Sequence, residues 1–268
     1  MKPLQKEPLT LITYNLKGSP KERERELADL AHLGKYQPDV VGIQEAKYWE
    51  RDHDGHVTYE QLHAAEHALG MRGFLVESQY YGCHLATFIR EPRIEVIERH
   101  DVHNLRFHVE AGLRCIIDGH TIDLVNVHFA PSSPKQRVIE AELLKLRLGR
   151  RRYVIVFGDF NAMGDNDPKP DPEGIDPGHY RQKTDTSPAA TLRRNGLIDV
   201  GGRLGDSTPT VGHDRADRLK VRIDRFHTDL PEQCFDHHEV LQIGGSDHKP
   251  VLVRIALDQA PRRWGEKE

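Results

Sequence analysis

Short hydrophobic runs alternate along this chain with polar segments, and several runs stop on a carboxylate, an amide or an imidazole. LTLITY stops at Asn15, DVVGIQ at Glu45, TIDLVNV at His128, and YVIVF, after one glycine, at Asp159. Apolar runs of about four to eight residues bounded by polar breaks predict buried strands. The residue closing each run is thereby carried to a strand end, where the backbone leaves the core.

Helix signals lie between the runs. Ser19-Pro20-Lys21-Glu22 offers an N-cap, a first-turn proline and a capping-box glutamate, with Leu27, Leu30, Ala31 and Leu33 following at helical spacing. Thr58-Tyr59-Glu60-Gln61 opens a second helix by the same logic, and Gly70 stops it. Ser133-Pro134-Lys135-Gln136 begins a third, apolar through Val138, Leu143, Leu144, Leu146 and Leu148; Ser187-Pro188 begins a shorter one ending near Gly196. From 74 to 127 the runs are short and β-rich, with Asp118-Gly119 joining the last two as a tight hairpin. LKVRIDRF, HEVLQI and PVLVRIAL supply the remaining strands.

Long β-meanders interrupted by capped helices predict an α/β chain of two packed, mainly antiparallel sheets flanked by helices. No fixed-period repeat or domain-scale linker interrupts the pattern, which predicts one domain over 1–268, with a core of about 9–257 and a mobile tail from 258. The Asp-, Pro- and Gly-rich stretch from Gly164 to Pro188 predicts a long irregular loop. It is either a tolerated insertion or a substrate-selecting loop, because it leaves directly from Asp159 and Asn161.

Composition narrows the class. Apolar residues make up 37% and charged residues 30%, and no apolar stretch is long enough to suggest a membrane span, which predicts a soluble globular chain with no membrane anchor. Cys83, Cys115 and Cys234 are too few and too scattered for a disulfide framework or a thiolate site. MKPLQKEPLT lacks the apolar core of a secretory signal, so the expected location is cytoplasmic. A net charge of -4 argues against gripping nucleic acid by bulk positive charge. It leaves room for a nuclease whose bound metal cancels an acidic site. No obligate protein partner is evident.

The strand-end residues carry the chemistry. Clustered carboxylates raise one another's pKa unless a cation sits among them, and an all-oxygen donor set suits Mg2+, Mn2+ or Ca2+. His128, and His248 beside Asp247 in GGSDH, add imidazoles to the same rim. Metal and histidine together suit hydrolysis of phosphate esters. In GDFN, Asp159 and Asn161 stand two residues apart, so in an extended segment both point to one face; the alternative is an Asx-type turn.

Six motifs in order, TYN, IQE, NVHFAP, GDFN, RIDRF and GGSDHKP, resemble the endonuclease/exonuclease/phosphatase superfamily from about residue 9 to 257. The resemblance implies a four-layer α/β sandwich and metal-dependent phosphoester cleavage. It places Asn15, Glu45 and Asp247 around the metal, with Glu45 the main ligand. Asp159 accepts a proton or binds a second cation, Asn161 orients water or phosphate, and Asp224 hydrogen-bonds His248. His128 contacts a phosphate oxygen or protonates the leaving group. Whether Asp159 or His248 is the general base stays open.

NVHFAP is more similar to deoxyribonuclease-type members than to apurinic/apyrimidinic endonucleases, although the glutamate that supports this histidine in that pattern has no counterpart around Gly82-Cys83-His84. QEAK resembles the QETK run of the apurinic/apyrimidinic enzymes and makes Lys47 either a substrate contact or a solvated lysine, with Tyr48 and Trp49 nearby to stack a base or lipid group or to pack locally. Arg215, Arg218, Lys220, Arg222 and Arg225 suggest the charged outer face of a strand, with phosphate contact the second reading. The expected substrate is a phosphodiester in nucleic acid or nucleotides. A sphingomyelinase-like lipid phosphodiesterase, a phosphomonoesterase and a catalytically silent phosphate-binding module are the alternatives.

Overall fold

The computed structural model describes residues 7–213 and 219–263. Its first half runs β1 (Leu9–Asn15), α1 (Arg23–Gly34), β2 (Val40–Lys47), α2 (Glu60–Leu69), β3 (Arg72–Val76), β4 (Cys83–Ile89), β5 (Ile94–Arg99), β6 (Glu110–Ile117) and β7 (His120–His128). The second half adds α3 (Pro134–Leu143), β8 (Tyr153–Asp159), α4 (Pro177–Lys183), α5 (Ser187–Arg194), β9 (Ile198–Asp199), α6 (Val200–Arg203), β10 (Asp224–Thr228), β11 (Phe235–Val240) and β12 (Val251–Ile255).

The strands form two six-stranded sheets, ordered β11-β12-β1-β2-β4-β3 and β5-β6-β7-β8-β10-β9. Each has one parallel pair near its centre, β1 with β2 and β7 with β8; the other pairings are antiparallel. A parallel pair needs a crossover connection, and α1 and α3 supply the two.

Period-2 alternation assigns every layer. Leu9 and Leu11 of β1, Ile122 and Leu124 of β7, and Tyr153, Ile155 and Phe157 of β8 share one core between the sheets. Ile12 and Tyr14 face the other way, against Leu30 and Leu33 of α1 and Leu62, Ala65 and Leu69 of α2. Val125, Val127, Val154 and Val156 pack against Ala141 of α3 and Leu192 of α5. The result is helix, sheet, sheet, helix, the expected four-layer sandwich. At Gly42 the sheets approach so closely that a Cβ would lie 2.2 Å from the Phe157 ring.

Several local expectations need correction. Helix α1 starts at Arg23, after a turn at Ser19–Glu22, and its N-cap residue Glu22 makes no side-chain cap. Tyr59 in a left-handed conformation, rather than Thr58, precedes α2, whereas Gly70 ends that helix with φ 62° as expected. Ser133 caps α3 through the Gln136 N–H at 3.2 Å. The buried face of α3, however, is Arg137, Glu140 and Ala141, and Leu146 is exposed in a 3-10 turn. Burial is possible because Glu140 accepts the Phe107 and Ala130 N–H groups at 2.7 and 2.9 Å.

Arg222 and Arg225 are buried instead of forming an outer charged face: Arg222 precedes the strand that begins at Asp224, and Arg225, within it, lays its guanidinium 5.0 Å over the Phe160 ring. Arg222 is satisfied by Asp167 and Asp199, both at 2.7 Å. Arg215 and Arg218 lie outside the described residues. The segment 164–188 is not wholly irregular, because Asp176 caps α4 within it. The tail is packed as far as described: the Tyr153 hydroxyl donates to the Pro261 carbonyl at 2.6 Å, and Arg263 pairs with Asp229 at 2.9 Å. Among the described residues no helix is long and apolar enough to cross a membrane.

Candidate active site

The inward parity that buries Leu11, Leu124 and Phe157 continues to Asn15, His128 and Asp159 at the same strand ends. Asp159 is the register partner of His128 on β7 and of Asp224 on β10, so three neighbouring strands deliver one row of polar side chains into the gap between the sheets. The first sheet answers with Asn15 and Glu45. Alternation alone would turn Glu45 onto the helix-covered face, but the β2–β4 register shifts between Ile43 and Ala46, and Glu45 has φ 54°. The extra residue of this bulge brings Glu45 to the same rim as Asn15. Lys17 and Asn161 at the rim also have positive φ, of 48° and 50°. Such backbone costs about 1–3 kcal/mol per residue and concentrates at functional sites.

Asn15 donates through Nδ2 to Asp159 Oδ2 at 3.1 Å and to Glu45 Oε1 at 3.4 Å, while its Oδ1 accepts the Lys17 N–H at 2.9 Å. In this arrangement Asn15 bridges two carboxylates as a donor. His248 places Nδ1 at 2.9 and 3.1 Å from the two Asp224 oxygens and its Nε2 3.9 Å from Asp159 Oδ2. His128 Nε2 lies 3.5 Å from the same Asp159 oxygen. Ligand atoms of Asp159, Asp224 and His248 fall within 4.8 Å of one another, a group that could hold a metal ion. Asp247 and His248 line a cavity of about 150 Å³ together with Asn161.

The electrostatics follow from burial and neighbours. Burial pushes the Asp159 carboxyl up, but His248, His128 and Lys183 together hold it below the usual carboxylate range. Burial dominates at Asp224 and raises it, with Asp159 adding to the rise. For His248, burial works against the cation, yet Asp224, Asp159 and Asp247 raise its pKa to about 9. Glu45 is pushed up by burial and then held below its ordinary value by His128, Lys47 and His248.

GDFN is not extended through Asn161. The Asn161 N–H donates to Asp159 Oδ1 at 2.8 Å, closing an Asx turn that brings both side chains to the cleft. Lys47 pairs with Glu45 at 2.8 Å, while Trp49 is fully buried, its indole N–H donating to Glu26 at 2.9 Å. Behind His128 stands the His108 ring, stacked at 4.2 Å. Around Gly82-Cys83-His84 a glutamate is present after all, Glu50, but it bonds His84 at 2.6 Å.

Three contributors escaped the sequence reading. Lys183 donates to Asn161 Oδ1 at 2.6 Å, and Lys17 to Asp247 at 2.7 Å. His108 is the third. Asp176-Pro177, an N-cap followed by a first-turn proline, was the available signal for the helix that carries Lys183. Nothing distinguishes His108 among 17 histidines.

A two-sheet sandwich with a row of acids and imidazoles in the gap between its sheets is an arrangement suited to phosphoester hydrolysis. A model of the Endonuclease/Exonuclease/phosphatase family matches residues 12–248, and the chain belongs to that family. Enzymes of this family are divalent-metal-dependent hydrolases of phosphoesters. No curated protein matches the chain by sequence.

Solved structures share the fold. A family member from Bacteroides vulgatus superposes with a TM-score of 0.70 at 16% identity, covering 93% of this chain and 99% of its own. The mannosyl-6-phosphatase of Bacteroides thetaiotaomicron gives 0.63 at 18% identity, with 91% and 98% covered. TDP2 of D. rerio, solved with a single-strand DNA product, gives 0.62 at 18% identity, with 92% and 98% covered.

Proposed function

We propose that this chain is a divalent-metal-dependent phosphodiesterase that cleaves nucleic acid or nucleotides and takes its substrate with the bases unpaired. The observation that carries the hydrolytic reading is the row His128–Asp159–Asp224 facing Asn15 and Glu45 across the gap between the sheets, with His248 locked on Asp224.

The donor set fits a hard cation: the Glu45 and Asp247 carboxylates are parked on Lys47 and Lys17, as expected of groups that exchange an ammonium for a metal. Glu45 and Asp247, with Asn15 alongside, would hold a Mg2+ or Mn2+ ion, which would supply polarisation of a phosphoryl oxygen. Asp159, ionised among its cationic neighbours, takes the proton of the attacking water. His248, with Nδ1 engaged by Asp224, presents Nε2 as a charged donor to the phosphate. His128 approaches the same point and donates to a non-bridging or leaving oxygen.

Base recognition has its own support. Tyr80, 45% exposed, stacks on Phe107 at 4.7 Å; Phe107 meets His108 edge-on at 4.8 Å, and His108 stacks on His128. A continuous aromatic wall thus runs from solvent to the catalytic row, with Tyr48 and Tyr81 exposed beside it. Aromatic faces hold unpaired bases without sequence preference. The DNA-bound TDP2 relative is consistent with this reading.

The test is a panel of single- and double-stranded DNA, RNA, a generic phosphodiester, a phosphomonoester and sphingomyelin, assayed with Mg2+ or Mn2+. Faster turnover of single strands than of the monoester or the lipid is expected. Preference for the monoester or for choline lipid overturns the reading.

A further inference from the structure

Three lysines stand on the polar groups of this cleft, and they are not equivalent. Lys17 is a side chain with 53% exposure on Asp247, and Lys47 one with 28% on Glu45. Both can swing away when a metal ion arrives. Lys183 is different, because the structure fixes its position from behind.

Lys183 closes α4, the helix inserted between β8 and α5. The fully buried guanidinium of Arg137 donates to the Gln182 carbonyl at 2.7 Å and to the Ala130 carbonyl at 3.1 Å, tying the residue before Lys183 to the loop after His128. Gln182 adds a bond from Nε2 to the Pro131 carbonyl at 3.3 Å, and Asp185 lies 3.9 Å from Arg137. From this anchor the Lys183 ammonium reaches Asn161 Oδ1 at 2.6 Å and lines the 150 Å³ cavity with Asp247 and His248. The other Asn161 amide atom donates to the Phe129 carbonyl at 3.0 Å, which leaves the oxygen pointing at Lys183.

We propose that Lys183 is a built-in cation of the phosphate site, standing beside Asp159 and Asn161 where a second divalent ion would otherwise bind, so that this chain works with one metal ion. The inference rests on the phosphodiesterase reading for the identity of the phosphate, while the occupancy of the site by an ammonium stands on geometry alone. Burial, with Arg137 adding to it, lowers the Lys183 pKa from its ordinary value, and Asp159, Asp224 and Asp247 oppose that fall. An ammonium and a divalent ion sharing one amide oxygen repel each other, so the place is taken.

Counting bound Mn2+ by electron paramagnetic resonance and calorimetry, with the metal alone, tests this. Wild type and Lys17→Met are expected to bind one ion in the cleft, and Lys183→Arg likewise. Lys183→Met is expected to gain a second ion, which disappears when Asp159→Asn is added. Turnover of Lys183→Met with a single-stranded substrate falls about 100-fold and recovers in part at high Mn2+, whereas Lys183→Arg retains most activity. Circular dichroism confirms folding of each variant. Two ions or none in the wild-type cleft, or an unchanged count in folded Lys183→Met, overturns the proposal. Failure of the hydrolytic reading would show instead as no turnover by any variant with the single-ion count intact.

Discussion

His128 and Asp159 are the last register pair of the parallel β7–β8 ladder, with His128 Nε2 3.5 Å from Asp159 Oδ2. Because a register is set by backbone hydrogen bonds, the spacing of acid and imidazole is fixed by the sheet and not by loop conformation. Asp224 completes the row from the other side.

Removing the charge at the middle of the row gives the first prediction. Asp159→Asn keeps the size and the Asx turn but cannot accept a proton. The expected loss in kcat is about 100- to 10,000-fold with little change in the melting temperature. Steady-state assay and thermal melts check it; wild-type turnover in the folded variant removes Asp159 from the chemistry.

Gly42 tests the sheet-to-sheet packing. An added methyl would meet the Phe157 ring at 2.2 Å, and a core aromatic between two sheets has little room to yield. Gly42→Ala should lose about 1–3 kcal/mol in urea unfolding.

The architecture and the site were legible to different depths for one reason. Strand-end residues such as Asn15, His128 and Asp159 are readable because a buried strand fixes where its next residue goes, whereas Asp247 lies in the loop between β11 and β12. Glu45 could be located, but its direction depends on a bulge that no run of residues announces. Arg137 and Arg222 were unreadable as core residues, since their burial depends on carbonyls and carboxylates brought from distant segments. Lys183 was invisible for the same reason, despite a legible helix start at Asp176.

Acid should weaken the fold through a buried imidazole. His227 on β10 has its pKa pushed down to about 3, chiefly by burial, with Arg225 and Arg222 adding to the fall and Asp199 opposing it. Between that value and about 6.5 the unfolded chain binds a proton that the folded chain does not. Stability is therefore complete above about pH 6.5 and falls by about 1.4 kcal/mol per pH unit below it, until the folded value is reached. Urea unfolding at pH 7, 6 and 5 should show that slope reduced in His227→Phe.

The aromatic wall predicts a substrate-dependent defect. Tyr80→Ala should weaken single-stranded DNA binding by about 1–3 kcal/mol, read as a rise in KM, and leave a small generic phosphodiester unaffected. An equal loss on both substrates would assign Tyr80 to structure alone.

Chelation should abolish turnover without unfolding the chain. Lys17 and Lys47 already neutralise the proposed ligands, so a metal adds stability only by mass action, about 1.4 kcal/mol for each tenfold excess over its Kd. A melting temperature that collapses with chelator would show the ion to be structural.

Just below the row of His128, Asp159 and Asp224, Gln44 on β2 donates to Asn126 on β7 at 2.7 Å, and Asn126 donates in turn to the Ile43 and Ala86 carbonyls at 3.1 Å each. These carboxamides bolt one sheet to the other. The width of the cleft is therefore set one storey down, and the two walls keep their separation whatever side chains stand at the rim.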